Sequence, residues 1–425
     1  MIRRPEIQLT PDEVKDLVTD WYNSKELKRL DLYQEYYESE NTRLMERVKD
    51  RAERHKTPNN SIPTAYYSTV VDTMGGYIGQ EVTYTTSEEY QETLNEVLTE
   101  NMQDVKDIKA WTHALAYNKS VELVYTVGDG TKTETRFSTI SPKNTILVYN
   151  QDIEPMLYCA IYVVPYQKKK EVTVYYSNLE QSFIIEGEDI LLKDERALYF
   201  STCPVVVYRT ELIGEKAPFH SIIPYVVALD WVITGNANEI DRLVDALLVI
   251  SDNLDDEDLK HMDEWKTLEG FTKEDRAEYL TKDMSPEFRK YVSDLLIREI
   301  HKHSHVIDWY SPDILGEASA KALRTRLFDM DMYSKRLEMV FREGAYKRMK
   351  LIGEMLTIQG KKVDPVKITY HRNFPSDLED KLAALNQVGF LSTQTKVEMS
   401  GLSWKEEKER LDAETPSMSI DEEIE

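Results

Sequence analysis

Three alternating histidines, His301, His303 and His305, come nearest of all residues in the chain to the spacing of a metal site. On a strand, side chains two apart share a face and three imidazoles could hold zinc; on a helix His303 turns away from the other two. No cysteine or second ligand cluster lies close in sequence, so they are read as surface or interface histidines that bind no metal. A second candidate is the acidic run Asp252, Asp255, Asp256, Glu257, Asp258, Asp263 and Glu264. Calcium would suit such density, yet Leu254 and Glu257 stand where an EF-hand loop needs an acid or amide and a glycine. A metal-dependent nuclease would need carboxylates converging on two metals beside DNA, and contiguous acids are a poor route to that. The run is therefore read as a solvated, protruding element. Gly75-Gly76-Tyr77-Ile78-Gly79 resembles a phosphate loop only superficially, because no Lys-Ser or Lys-Thr follows it. With no zincin helix, nucleophile elbow or paired cysteines, the sequence calls for neither catalysis nor a cofactor.

These residues sit in a chain of 425, long enough for two or more subdomains. Its two cysteines, Cys159 and Cys203, form no disulfide framework and read as buried thiols in a reducing compartment. The start, Met1-Ile2-Arg3-Arg4-Pro5, lacks the apolar core of a signal peptide. The most apolar run, residues 222–233, is broken by Pro224 and Asp230 and is too short to cross a bilayer, so a soluble protein is expected. A net charge of −24 argues against a sequence-reading DNA binder, which neutralises phosphates with clustered Lys and Arg. It does not argue against enclosing DNA, since a wall of like charge repels phosphates and lets a duplex slide. Solubility alone is the plainer account of the same charge.

Thr10-Pro11-Asp12-Glu13 opens a first helix with a cap, a first-turn proline and acids at the positive end of the dipole. A second is expected over residues 24–54, a third closing near Gly75, and a fourth over 87–118. A β-rich module of six or seven strands follows: a hairpin at 121–127 and 132–140 around Gly128-Asp129-Gly130, then strands at 145–149, 156–165, 171–177, 181–185 and 205–209. Tyr125, Tyr149, Tyr158, Tyr162, Tyr175 and Tyr176 fit half-buried sheet surfaces better than a base-stacking or carbohydrate face. Beyond Ser221 the pattern is helix, acidic insert, helix, loop, long helix. Within the first of these helices sit Gly235, Asn236 and Asn238, small or polar where a helix prefers Ala or Leu. The loop, 311–318, feeds an uninterrupted rod from Ser319 to about 358, and Ser319 can cap it. The rod is rich in Lys and Arg, among them Lys321, Lys335, Arg336, Arg342 and Arg348, which acids such as Asp331 and Glu338 can pair as a salt-bridged subunit contact. Lys321, beside the loop, could instead meet phosphate. A strand at 366–371, helices from Pro375-Ser376-Asp377 and from Leu391-Ser392-Thr393, and a disordered acidic tail complete the chain.

The segment Gly235-Asn236-Ala237-Asn238-Glu239-Ile240, running into Ala246-Leu247-Leu248-Val249-Ile250, resembles the stem helix that enters the clip in the portal proteins of tailed bacteriophages. Ser319-Ala320-Lys321-Ala322-Leu323-Arg324 resembles that family's Ser-Gly-x-Ala-Leu-Lys start of the tunnel helix, with Ala320 in place of the glycine. Asn373-Phe374-Pro375-Ser376-Asp377 and Leu391-Ser392-Thr393-Gln394-Thr395 resemble its C-terminal portion. The resemblance covers residues 221–413 and implies an α+β portal-like fold. Its divisions would be a wing at 1–220, stem helix 1 at 221–250, a clip at 251–284, stem helix 2 at 285–305 and a tunnel loop at 306–318. A long wing helix with its returning strand, 319–371, and a helical crown with an acidic tail, 372–425, would follow.

By the same resemblance the protein is a non-enzymatic ring, usually of twelve copies, at one capsid vertex of the virion. Genomic DNA would pass through it in packaging and ejection, without sequence specificity. Partners would be double-stranded DNA, the terminase, a head-tail adaptor, and the major capsid and scaffolding proteins, with assembly in the host cytoplasm and no membrane involved. Expected DNA-tunnel residues are Asp313, Glu317, Ser319, Lys321, Asn236 and Asn238, and expected adaptor-docking residues are Asp255, Asp256, Glu257 and Trp265. The competing reading is a metal-dependent nuclease or other DNA-processing enzyme of a mobile element, using the acids 252–258 and the three histidines.

Overall fold

Thr10 and Glu13 close a reciprocal cap at the start of α1 (Pro11–Asn23): the Glu13 amide donates to Thr10 Oγ1 at 3.3 Å and the Thr10 amide to Glu13 Oε2 at 2.9 Å. Ser24 caps α2 (Lys25–Tyr37) in turn, accepting from the Leu27 amide at 3.0 Å. In this computed structural model the described residues are 2–55, 59–79, 81–128, 133–167, 169–211, 214–244, 248–250, 277–279, 286–311, 325–372, 392–400, 404 and 407–410. The helix expected over 24–54 is two. Ser39 takes a left-handed φ of 58°, and α3 (Thr42–His55) starts afresh with the Leu44 amide bonded to Asn41 Oδ1. The run expected over 87–118 likewise splits, because Met102 at φ 47° separates α5 (Glu88–Glu100) from α6 (Gln103–Tyr117). Between α3 and α5 come α4 (Tyr66–Ile78), which runs straight through Gly75 and Gly76, and a short strand β2 (Glu81–Thr85).

Among the described residues nine strands, the eight of the β-rich module and β1, form two sheets. A six-stranded sheet is ordered β1 (Ile2–Arg3), β5 (Thr145–Tyr149), β6 (Leu157–Tyr166), β7 (Lys169–Tyr175), β8 (Leu179–Glu186), β9 (Asp189–Ala197), with β1 joining the module's strands from the chain start. A three-stranded sheet is ordered β10 (Val205–Arg209), β3 (Lys119–Gly128), β4 (Thr133–Ile140). The β3–β4 hairpin is the expected one, although its turn at 129–132 lies outside the described residues. Alternation aims Val172, Val174, Phe183 and Ile185 inward, and α1 and α2 cover them with Val14, Leu17, Val18, Trp21, Leu27 and Leu30. Each such Val or Leu contributes roughly 1.5–3 kcal/mol on burial. Cys159 and Cys203 are free and buried, as expected.

α7 (Ile223–Val244) and α8 (Pro286–Ser304) lie side by side. Between them in sequence, β11 (Leu248–Ile250) pairs antiparallel with β12 (Ala277–Tyr279); the rest of the acidic insert is outside the described residues. The long helix α9 spans Phe328–Ile358, and β13 (Lys367–His371) returns from it to pair with β2. The rod expected to run uninterrupted from Ser319 breaks at Leu327, a turn between helical Arg326 and α9. α9 is fixed by aromatic stacking: Phe341 lies on Trp111 of α6 with centroids 3.7 Å apart and on Tyr208 of β10 at 4.6 Å. Contacts divide the chain into two units, Met1–Asp308 with Asp329–Arg372, and Trp309–Phe328 with Asn373–Glu425. The second holds α10 (Thr393–Ser400), where Ser392 Oγ caps the Thr395 amide at 3.2 Å. Among the described residues no helix is long and apolar enough to cross a membrane.

Candidate channel and ring elements

One polar face of α7, Asp230, Thr234, Asn238 and Asp241, holds an extended strap, residues 59–64, along the helix. The spacing of four, four and three keeps these side chains in line. Asn238 is bonded twice to the Asn60 peptide: its Oδ1 accepts from the amide at 2.9 Å and its Nδ2 donates to the carbonyl at 3.0 Å. Asn60 Nδ2 donates to Asp241, the Ile62 amide donates to Thr234 Oγ1 at 3.1 Å, and Thr64 gives both its amide and its hydroxyl to Asp230 Oδ1 at 2.8 and 2.7 Å. Asp230 is buried and takes a further bond from Asn41 Nδ2 at 2.7 Å. Four polar side chains on one helix face thus seat the strap.

The second contact of α7 is with α8. Arg289 pairs with Glu239 and donates to Asn236 Oδ1 at 3.3 Å. Asn236 and Asn238, expected as tunnel residues, are half-buried and engage a neighbouring helix and the strap within the subunit. The polar residues inside this helix therefore have close partners. Asp313, Glu317, Ser319 and Lys321 lie outside the described residues, as do Asp255, Asp256, Glu257 and Trp265.

The three histidines diverge. His301 Nδ1 donates to the Val306 carbonyl at 3.0 Å; His303 Nε2 lies 3.1 Å from the Tyr225 hydroxyl, and the two rings stack. His305, at a left-handed φ of 58° just past the helix end, donates to Asp329 at 2.9 Å and stacks on Tyr333. Helical spacing turns His303 away from His301, and the left-handed backbone at His305 sends its ring to α9; among the described residues no three His, Cys, Asp or Glu side chains gather to hold a metal.

On α9, Lys335 pairs with Asp331 and Arg342 with Glu338 within the helix, while Arg336 reaches Glu211. Arg348 lies on the buried side of the helix. Fully buried, it donates to Asp107 of α6 and Glu122 of β3, and to the hydroxyls of Tyr84 and Tyr208. The carboxylates hold its guanidinium firmly charged, whereas burial pushes the Glu122 carboxyl above its ordinary range despite Arg348. The sequence places Arg348 among basic residues that acids pair in a subunit contact, whereas its partners here are Asp107 and Glu122 of the same chain. Its place in the stripe Phe341, Ala345, Arg348, Ile352, Met355 was the available signal.

No curated protein matches the sequence. Among solved structures the chain is similar to the neck of an empty gene transfer agent particle computed with C6 symmetry, at 10% identity and a TM-score of 0.48, covering 84% of this chain and 94% of that one. It is also similar to the neck of the native particle computed with C12 symmetry, at 11% identity, a TM-score of 0.45 and coverage of 80% and 90%. A third likeness is to the virion of the native particle, at 12% identity, a TM-score of 0.45 and coverage of 79% and 88%. The family described as "Phage portal protein, SPP1 Gp6-like" matches residues 21–418, nearly the whole chain, and the protein belongs to that family.

Proposed function

We propose that copies of this chain close into a ring at one vertex of a phage head, and that genomic DNA enters and leaves through the ring's channel. The observation that carries this reading is the portal-family match over residues 21–418. A ring of identical subunits is closed by heterologous contacts repeated through a fixed rotation, and twelve copies is the count usual for portal proteins. The net charge of −24 suits a conduit that repels the duplex rather than gripping it. In this reading residues 221–250 and 285–305 line or brace the channel. Residues 251–284 form the clip, with Asp255, Asp256, Glu257 and Trp265 meeting a head-tail adaptor, and 306–318 form the tunnel loop, with Asp313, Glu317, Ser319 and Lys321 nearest DNA. Terminase docks on the ring during packaging, and capsid and scaffolding proteins surround it. The role is structural, in the virion, after assembly in the host cytoplasm.

Negative-stain images and mass photometry of the purified full chain test this. A large ring with a central hole, and no magnesium-dependent cleavage of linear duplex DNA, is the expected result. A monomer that cuts DNA would replace the portal reading with the nuclease.

A further inference from the structure

The start of β3 and the end of β10 bring two cations together. In their antiparallel pairing Arg209 stands directly opposite Lys119, so the two side chains leave the sheet on one face, where like charges repel. Both line a cavity of about 290 Å³, with Trp21 of α1, Glu26 of α2, Tyr117 and Tyr149 among its other walls. Lys119, only 12% exposed, donates to Glu26 at 2.5 Å and lies over the Trp21 ring. Half-buried Arg209 donates through Nη2 to the Tyr149 hydroxyl at 2.8 Å and has no carboxylate partner among the described residues. The other acids of the lining are already held. Arg29 takes Glu215 at 2.7 Å, and Arg336 reaches in from α9 to take Glu211 at 2.8 Å, where the Tyr333 hydroxyl donates as well at 3.3 Å. Lys119 and Arg209 therefore share the single carboxylate of Glu26.

We propose that this cavity binds a small oxyanion, a phosphate or a carboxylate, between Arg209 and Lys119. A cation kept out of water without a counter-charge is costly, and an anion in the cavity offsets that cost. The guanidinium, with one amine on Tyr149, keeps the rest of its planar fork for two oxygens of one ligand, while Lys119 adds a point charge from the facing strand. The bound group thus bridges the two cations and replaces their repulsion with attraction to a common partner. The volume lies at the lower edge of small-molecule sites, which suits a compact anion rather than a stretch of protein or nucleic acid. The site is independent of the ring, and neither reading needs the other.

Calorimetric titration of the full chain with inorganic phosphate and, separately, with succinate tests this, at an ionic strength held constant with chloride so that general screening of surface charge does not vary. At least one probe should bind saturably, with one anion per chain, and which of them binds tells a phosphate ligand from a carboxylate. Arg209→Gln should weaken that binding by about tenfold or more, the loss expected when a charge-assisted bond is removed. Arg209→Lys, which keeps the charge without the fork, should fall between the two. Thermal unfolding gives an independent reading: a saturating probe should raise the melting temperature of the wild type and leave that of Arg209→Gln unchanged. No saturable binding of either probe to the wild type at millimolar concentration overturns the site. Binding that Arg209→Gln and Arg209→Lys leave undiminished places the anion elsewhere and overturns it too.

Discussion

Arg348 Nε lies 2.8 Å from Glu122 Oε1 across 226 positions of sequence, with both side chains buried. The same guanidinium reaches Asp107, so a single residue ties the long helix α9 to α6 and β3. Removing one partner of a buried ion pair strands the other. Arg348→Ala should therefore cost about 3–5 kcal/mol of stability, read as a lower urea midpoint. Arg348→Lys keeps the charge but not the fork and should recover only part. A midpoint unchanged in the alanine variant would mean that the buried pairs add no net stability.

Glu122 gives this network a pH dependence. Its Oε2 has no hydrogen-bond partner among the described residues, and burial raises its carboxyl above the ordinary range, with Arg348 of α9 and Tyr208 of β10 opposing and Asp107 of α6 reinforcing the shift. Lys106 of α6 also faces it. A raised folded pKa means that folding takes up a proton. The contribution is complete below the unfolded carboxyl pKa and is lost as pH rises through the folded one. Glu122→Gln removes the titration, so the wild type should lose melting temperature relative to the variant as pH rises above the ordinary glutamate range, about 4.3. Parallel melting curves above that range would show that Glu122 titrates as it does unfolded.

Gly344 is needed for close approach. A Cβ there would stand 2.6 Å from Tyr208 Cδ1, and Tyr208 is pinned by its bonds to Glu122 and Arg348 and by its stack on Phe341. Gly344→Ala should destabilise by about 1–3 kcal/mol through overpacking. Gly75→Ala, whose Cβ would make ordinary contact with Leu115 at 3.7 Å, should be neutral or stabilise by up to about 1 kcal/mol. Calorimetry of the two variants side by side checks the contrast.

Local pattern was legible where residues alternate or cap. Strands at 145–149 and 205–209, the cap at Thr10 and the helix start at Ser392-Thr393 stand where the sequence puts them. β9 was missed because Lys193-Asp194-Glu195-Arg196 is charged on both faces, as an exposed edge strand can be. β2 was missed because its five residues pair with a strand some 280 positions later, which no local window contains. The breaks at Ser39 and Met102 had no marker, since neither is a residue type that favours left-handed backbone. Of the expected site residues, Asn236 and Asn238 are marked in the sequence as unusual in a helix. Their partners, a helix 50 residues on and a strap 170 residues back, could not be read from spacing.

The strap over α7 yields the last prediction. Asn60, Ile62 and Thr64 send their amides to α7, while the alternate positions are Ser61 and Pro63, the latter having no amide to satisfy. Exchange of the backbone amides, resolved to single residues by fragmentation in the mass spectrometer, should show protection at Asn60, Ile62 and Thr64. Asp230 anchors the end of the strap and cannot be replaced by its neighbours, because Asn41 already uses its Oδ1 to cap α3 at Leu44. Asp230→Ala leaves three donors without an acceptor and should cost about 3 kcal/mol. Protection should vanish first at Thr64 and persist longest at Asn60, which Asn238 holds independently. Uniform loss along the strap would show instead that it folds onto the helix as one cooperative piece.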